Sequence, residues 1–346
     1  MNTPKLKFLS TSMLIAMGVI TTPVIAEPTI AISGAVEVEF NTGNDHTSAV
    51  SGDIALATVE IGFDAKINDN VSAHVLMLHE DDDTEENVID EGTISINMDS
   101  MFVNAGRMYV PFGNFGSHMV SDPLTLELGE TQEAAIEVGF ESDGLRASIY
   151  AFNGEADKNE TDNDVVDDFG ISVSYSMKTD DMNLNLGFDY INNMAETDGL
   201  ESTIIGGGGP GGNTIEEHTA GIALHAIINM DKLTVIVEHV MASDDFNNAD
   251  LTFNGGNASP SATNLEIAYT FDMGGRDLTL ALAQQSTSDI DGSALPESRT
   301  MISASTTIVD DVSFIVEYSN ANDYETADGG SGESGGMLTA QMAVEF

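Results

Sequence analysis

Apolar and polar side chains alternate along most of this chain, in short runs broken by turn residues. Ala57, Val59, Ile61, Phe63 and Ala65 interleave with Thr58, Glu60, Gly62, Asp64 and Lys66. Asn68, Asp69 and Asn70 intervene, and Val71, Ala73, Val75 and Met77 resume the apolar face. A period of two marks a strand, and two such runs around a tight turn mark a hairpin. The unit recurs around residues 142–144, 178–181, 230–231, 274–275 and 310–311, with a weaker copy around 99–100. Adding an opening strand near 32–40 and a closing strand at 337–346, the pattern predicts an all-β chain of about sixteen strands.

The connections between these strands are unequal. One set is a few residues long. The other comprises residues 41–52, 80–91, 110–133, 153–167, 193–216, 243–262, 287–297 and 320–336. Short turns at one end and long loops at the other, with an even strand count, predict a transmembrane antiparallel up-and-down β-barrel. A sheet crosses hydrocarbon only if it closes on itself, because every backbone N–H and C=O needs a partner there. The apolar face of Val, Ile, Leu, Ala and Phe then meets lipid. Tryptophan is absent, so Phe40, Phe63, Phe140, Tyr175, Tyr190, Tyr269, Phe271 and Tyr318 are expected to form the aromatic girdles. Gly-rich runs at 206–212 and 329–336 read as flexible outer loops.

The ends of the chain agree. Lys5 and Lys7 precede an apolar stretch at 8–20, and Val24, Ile25 and Ala26 follow Pro23. This predicts a signal peptide over 1–26, with export of a single barrel domain over 27–346. The apolar core is short for a membrane anchor. The last strand carries Leu338, Ala340, Met342, Val344 and a terminal Phe346. That closing aromatic resembles the signal read by the outer-membrane barrel assembly machinery.

Composition narrows the function. Lys plus Arg is 10 against 58 for Asp plus Glu, a net charge of -48. So acidic a chain has no use for nucleic acid. Cysteine is absent, which removes disulfides, thiolate metal sites and thiol nucleophiles. Carrying the alternation through the strands puts Glu37, Glu39, Glu60, Asp64, Glu137, Asp189, Glu238, Glu266 and Glu317 on the lumen wall, with Arg146 among the few bases. Rings of carboxylates favour cations. Lys66, Lys178, Lys232 and Arg276 sit at or beside short turns, which puts positive charge on the periplasmic rim. The acidic loop residues Asp81, Asp82, Asp83, Glu85, Glu86 and those at 162–168 suit either divalent cations beside lipopolysaccharide or a saline habitat. No motif specifies a cofactor, and metal binding stays open.

Residues 106–131 stand apart. Phe115, Met119, Leu124, Leu126 and Leu128 are too apolar for a solvated tip, and a long apolar loop should be packed. The segment joins the fifth and sixth strands and is expected to fold into the lumen and constrict it. Arg107 and Tyr109 stand at its root, Pro111, Phe112 and Gly113 redirect the chain, and Asp122 and Pro123 turn it back ahead of Glu127. Arg107 shares the parity of Val103 and Ala105. Either a bulge at Gly106 rotates it inward or it snorkels to the rim.

GRMYVPFG followed by NFGSHMVSDPLTLELGET, over roughly residues 104–133, resembles the LbtU-like siderophore porin family. The resemblance implies an outer-membrane barrel that takes up ferric siderophores without an energy-coupled plug, surrounded by lipid and lipopolysaccharide and open to homo-oligomer formation. Phosphate-type porins share part of this flavour but use basic ladders that are missing here. The alternatives are a general cation-preferring or phosphate/carbohydrate-type diffusion porin, and a non-transporting structural or adhesive barrel. An enzyme is not expected: the histidines are scattered, and neither GxSxG nor HExxH occurs.

Overall fold

The computed structural model describes residues 28–47, 49–80, 88–158, 165–204, 214–290 and 295–346. The expected signal peptide over 1–26, the acidic run at 81–87 and the glycine run at 206–212 lie outside the described residues. Sixteen strands close into one antiparallel barrel in chain order. They are β1 (Thr29–Asn44), β2 (Val50–Lys66), β3 (Val71–Glu80), β4 (Val88–Met98), β5 (Met101–Tyr109) and β6 (Gln132–Ser142). β7 (Leu145–Phe152), β8 (Asp168–Lys178), β9 (Asn183–Ile191), β10 (Gly221–Met230) and β11 (Leu233–Ala242) continue the wall. β12 (Ser261–Asp272), β13 (Asp277–Ser288), β14 (Ser298–Val309), β15 (Val312–Asn322) and β16 (Ser334–Glu345) complete it. β16 pairs back onto β1 from Ala35↔Glu345 to Gly43↔Met337. Phe346 extends that seam, exchanging both backbone bonds with Gly34 at 3.0 Å.

The expected facing holds around the ring. Ile61, Phe63, Ile136, Ile149, Leu186, Leu265, Ile267, Leu280, Leu282 and Met342 point outward and are exposed on the isolated barrel. The expected girdle residues Phe40, Phe63, Phe140, Tyr175, Tyr269, Phe271 and Tyr318 share that face. Two bulges change the phase. Across from β1, the pairing steps from Glu37↔Thr58 to Glu39↔Ala55, so β2 carries one extra residue at Leu56 and Ala57. Outward facing therefore passes from Val59 to Leu56 and Ile54. Between β3 and β4 the pairing steps from Leu76↔Glu91 to Met77↔Ile89, leaving Asp90 as the inserted residue.

Some loops differ from expectation. β1 and β2 run further out, leaving a shorter connection than 41–52. The glycine run near 329–336 is not a loose loop. It begins after a 3₁₀ turn at Thr326–Asp328, Asp323 Oδ2 accepts the Ser331 N–H at 2.6 Å, and Ser334–Glu345 is already strand. Several long connections fold inward. Leu200, Phe246, Leu251, Ile290 and Leu295 join Met108, Tyr150, Phe152, Ile191 and Val240 in one buried apolar cluster within the outer half of the barrel. Removing such side chains from water is what holds these loops down.

Candidate functional site

Residues 110–131 enter the lumen from the end of β5. The segment carries a short helix, α1 (Leu124–Gly129), whose Leu124 and Leu128 are fully buried. Pro123 caps this helix in an extended conformation, so the expected turn at Asp122 and Pro123 is where the chain reverses. Phe112 packs into the buried cluster, and Phe115 lies against its edge.

The backbone of this segment hangs from the wall. Gly113 N–H donates to Asp189 on β9 at 3.1 Å. Asn114 and Phe115 N–H donate to Glu238 Oε1 on β11 at 2.7 and 3.2 Å. Ser117 Oγ and His118 N–H donate to Glu266 on β12, both at 2.8 Å, and the His118 ring lies 2.6 Å from the same carboxylate. Val120 N–H and Ser121 Oγ donate to Glu317 on β15 at 2.6 and 2.7 Å. The chain then returns, Leu124 N–H meeting Gln285 at 3.3 Å and Thr125 Oγ1 donating to Glu238 Oε2 at 2.8 Å. Arg299 on β14 closes the return, donating to Gln285, to the Asp122 carbonyl and to Glu127 Oε1 at 3.2 Å.

The lumen carboxylates therefore fall into two groups. Asp189, Glu238, Glu266 and Glu317 are between 1 and 3% exposed, covered by the segment they hold. Glu37, Glu39, Glu60 and Asp64 occupy the wall of β1 and β2. Gln341 Nε2 donates to Glu37 at 3.2 Å and to Glu39 at 2.6 Å, and the His74 ring lies 2.8 Å from Asp64. Glu137 is paired with Arg146 at 3.2 Å and accepts from the Asn104 amide at 2.8 Å. The Arg146 guanidinium sits 3.8 Å above the Phe102 ring.

Arg107 does not turn inward. The register runs unbroken through Gly92↔Arg107 and Thr93↔Gly106, so there is no bulge at Gly106. Gly106 has a φ of 143°, and a Cβ there would strike the Gly92 carbonyl, so the residue serves close approach to β4. Arg107 faces outward and donates through Nε to Gln132 at 2.8 Å. Gln132 donates in turn to the bulged Asp90 at 2.7 Å, where Tyr109 also reaches at 3.4 Å.

A second layer was not anticipated. Helix α2 (Asp198–Ile204) packs on α1, with the Asp198 N–H on the Glu130 carbonyl at 2.8 Å. A Cβ at Gly199 would meet the Glu127 carbonyl, so only glycine allows the contact. Burial, with Asp198, Asp122, Asp90 and Glu80 nearby, pushes Glu130 up to about 9. Burial likewise raises Asp198 to about 7, Glu201 adding to the shift while the Gln132 N–H and Arg107 oppose it. Burial raises Glu127 as well, against the pull of Arg299. The signal for this layer was Leu200 and its neighbours, apolar side chains in a nominal loop.

The model of the Gram-negative porin family matches residues 10–346. A UPF0422 protein of Legionella pneumophila (strain Lens) is 27% identical, the match covering 94% of this chain and 68% of that protein. An anion-selective porin from Comamonas acidovorans superimposes with a TM-score of 0.61 at 13% identity, over 92% of this chain and all of that one. OmpT of Vibrio cholerae in its trimer form gives a TM-score of 0.57 at 10% identity, over 93% and 100% of the two chains. The structural likenesses carry the fold, and the family match carries the kinship. A closed sixteen-strand barrel with an inward-folded loop, matched from residue 10 to its last, belongs to the Gram-negative porin family, as an outer-membrane channel for passive diffusion.

Proposed function

We propose that this porin passes small solutes along the β1–β2 side of its lumen, through a bore set by residues 110–131, with a preference for cations. The observation that carries the reading is the one-sided path of the segment. It is bonded to β9, β11, β12 and β15, while Glu37, Glu39, Glu60 and Asp64 sit on β1 and β2, outside that span of the wall. β1, β3, β4 and β16 contain no Lys or Arg. Carboxylates on a wall of this kind raise the local concentration of cations and lower that of anions. Deleting residues 114–130 should enlarge single-channel conductance in planar bilayers, and an unchanged value would refute the role of the segment.

Ferric siderophores are the second reading, favoured by the resemblance over residues 104–133. Uptake of labelled iron chelates by a deletion strain, with and without the restored gene, tests it. Equal uptake in both would remove the siderophore reading and leave the diffusion channel standing. Homo-oligomer formation belongs to the same proposal, supported by the trimer form of the Vibrio cholerae neighbour. Cross-linking in intact outer membranes tests it, and a solely monomeric product would refute it.

A further inference from the structure

We propose that Asp189, Glu238, Glu266 and Glu317 are positioning residues, which set the bore by holding residues 113–125 in place rather than by presenting charge to a passing ion. The proposal rests on the reading that this segment is the constriction.

The bonding pattern separates the four from ordinary lumen carboxylates. Each accepts from the backbone of the segment: Asp189 from residue 113, Glu238 from 114 and 115, Glu266 from 118, and Glu317 from 120 and 121. Three of them also take a hydroxyl. Ser117 serves Glu266, Ser121 serves Glu317 and Thr125 serves Glu238, so every fourth residue of the segment is a hydroxyl aimed at a different carboxylate. Several N–H and O–H dipoles directed at one carboxylate offset its field, as charge-assisted hydrogen bonds do. The covering chain keeps the groups out of contact with a hydrated permeant.

Glu238 is the central member. It is 1% exposed and accepts from both limbs of the segment, residues 114 and 115 on the way in and Thr125 on the way back. It thereby closes the segment on itself. On the inward limb Phe115 holds a φ of 55°, a left-handed conformation that a bulky side chain avoids. Such a conformation persists only where the surroundings over-determine it. Here the Phe115 N–H is held by both oxygens of Glu238, each at 3.2 Å. The ring lies over Gly113, where a Cβ would meet it at 2.3 Å. Glycine at 113 together with the carboxylate at 238 makes the left-handed Phe115 possible.

The test uses the full-length protein in planar bilayers, comparing four variants. Thr125→Val with Ser121→Ala removes two hydroxyl bonds from the loop side and changes no charge. Glu238→Ala removes the central acceptor. Glu37→Gln alters the β1 wall, and the 114–130 deletion removes the segment. The loop-side pair and Glu238→Ala should both shift conductance towards that of the deletion, with a noisy open current and an unchanged reversal potential in a salt gradient. Glu37→Gln should move the reversal potential and leave the current steady. A wild-type steady current in the loop-side pair would overturn the proposal, as would a shift of reversal potential in Glu238→Ala equal to that in Glu37→Gln. A contribution to barrel stability alone would lower the unfolding midpoint without adding current noise. If Glu238→Ala fails to fold, the loop-side pair decides, because it leaves the wall intact. An unchanged conductance in the deletion would refute the constriction itself, whereas an enlarged deletion conductance with quiet point variants refutes only the positioning role.

Discussion

Leu280→Arg tests the facing on which every lumen assignment depends. Leu280 is the middle of the outward series Leu278, Leu280 and Leu282 on β13, and it pairs with Tyr269 and Ala304 on its neighbours. Two residues advance a strand by about 6.8 Å. At a tilt of about 40° that is roughly 5 Å along the membrane normal. The outward side chains run from Leu278, opposite Phe271, to Gln284, which places the first polar residue about 15 Å above the rim. Leu280 therefore lies about 5 Å inside the rim, level with Tyr269, and Leu282 about 10 Å inside it. An arginine near the midplane costs about 2–4 kcal/mol, and one near an interface about 0–1 kcal/mol. Losing the leucine itself moves the expected figure towards the upper end. Gln284→Arg, on the same face of the same strand, is the control for depth. Reversible urea titrations of the protein folded into lipid vesicles measure both. A cost at 280 no larger than at 284 would mean that the two positions do not sample lipid as the register requires, and the lumen wall would then be wrongly drawn.

The other predictions concern the lumen and the layer above it. Glu60→Gln, alone and with Glu37→Gln and Glu39→Gln, should progressively reduce cation preference in reversal-potential measurements; a wild-type channel that prefers anions would contradict the electrostatic argument. Arg299→Ala removes the clasp between β14 and Glu127, so α1 should lose about 1.5–3 kcal/mol of local protection in hydrogen exchange. Equal protection with and without the guanidinium would show that apolar packing alone holds α1. Glu130 and Asp198, at about 9 and 7, stand above their unfolded values of about 4. Docking of α2 on α1 is thus fully supported below about pH 4 and weakens as pH rises through 7 to 9. Exchange in residues 198–204 should speed up over that range, and protection that is flat or grows with pH would count against the buried acid pair.

The barrel was legible because its physics is local in sequence. Alternation at two-residue spacing specifies which face of a strand meets lipid, and unequal connections specify which end faces out. Even the bulge in β2 left a trace: Ile54 and Leu56 occupy even positions, whereas Val59, Ile61 and Phe63 occupy odd ones, so the phase breaks between them. The apolar content of residues 106–131 likewise announced a packed segment. The same reasoning applied to Leu200, Phe246 and Leu251 would have found the second layer. Arg107 was ambiguous because glycine 106 is compatible with a bulge or with close strand approach, and only the pairing with Gly92 separates them.

What alternation could not convey is what a lumen carboxylate touches. Glu60 and Glu266 look alike in sequence: each is a single acidic residue between apolar neighbours, inward by parity. They differ because the chain between β5 and β6 crosses the lumen on one side, and its unpaired N–H groups must find acceptors there. A segment without regular structure over 113–121 would be expensive to bury against an apolar wall. The cost falls only if the wall supplies oxygen atoms at matching intervals. The acidity of β9, β11, β12 and β15 is thus explained first by the hydrogen-bonding demand of the loop, and the proposed charge selection falls to the carboxylates of β1 and β2.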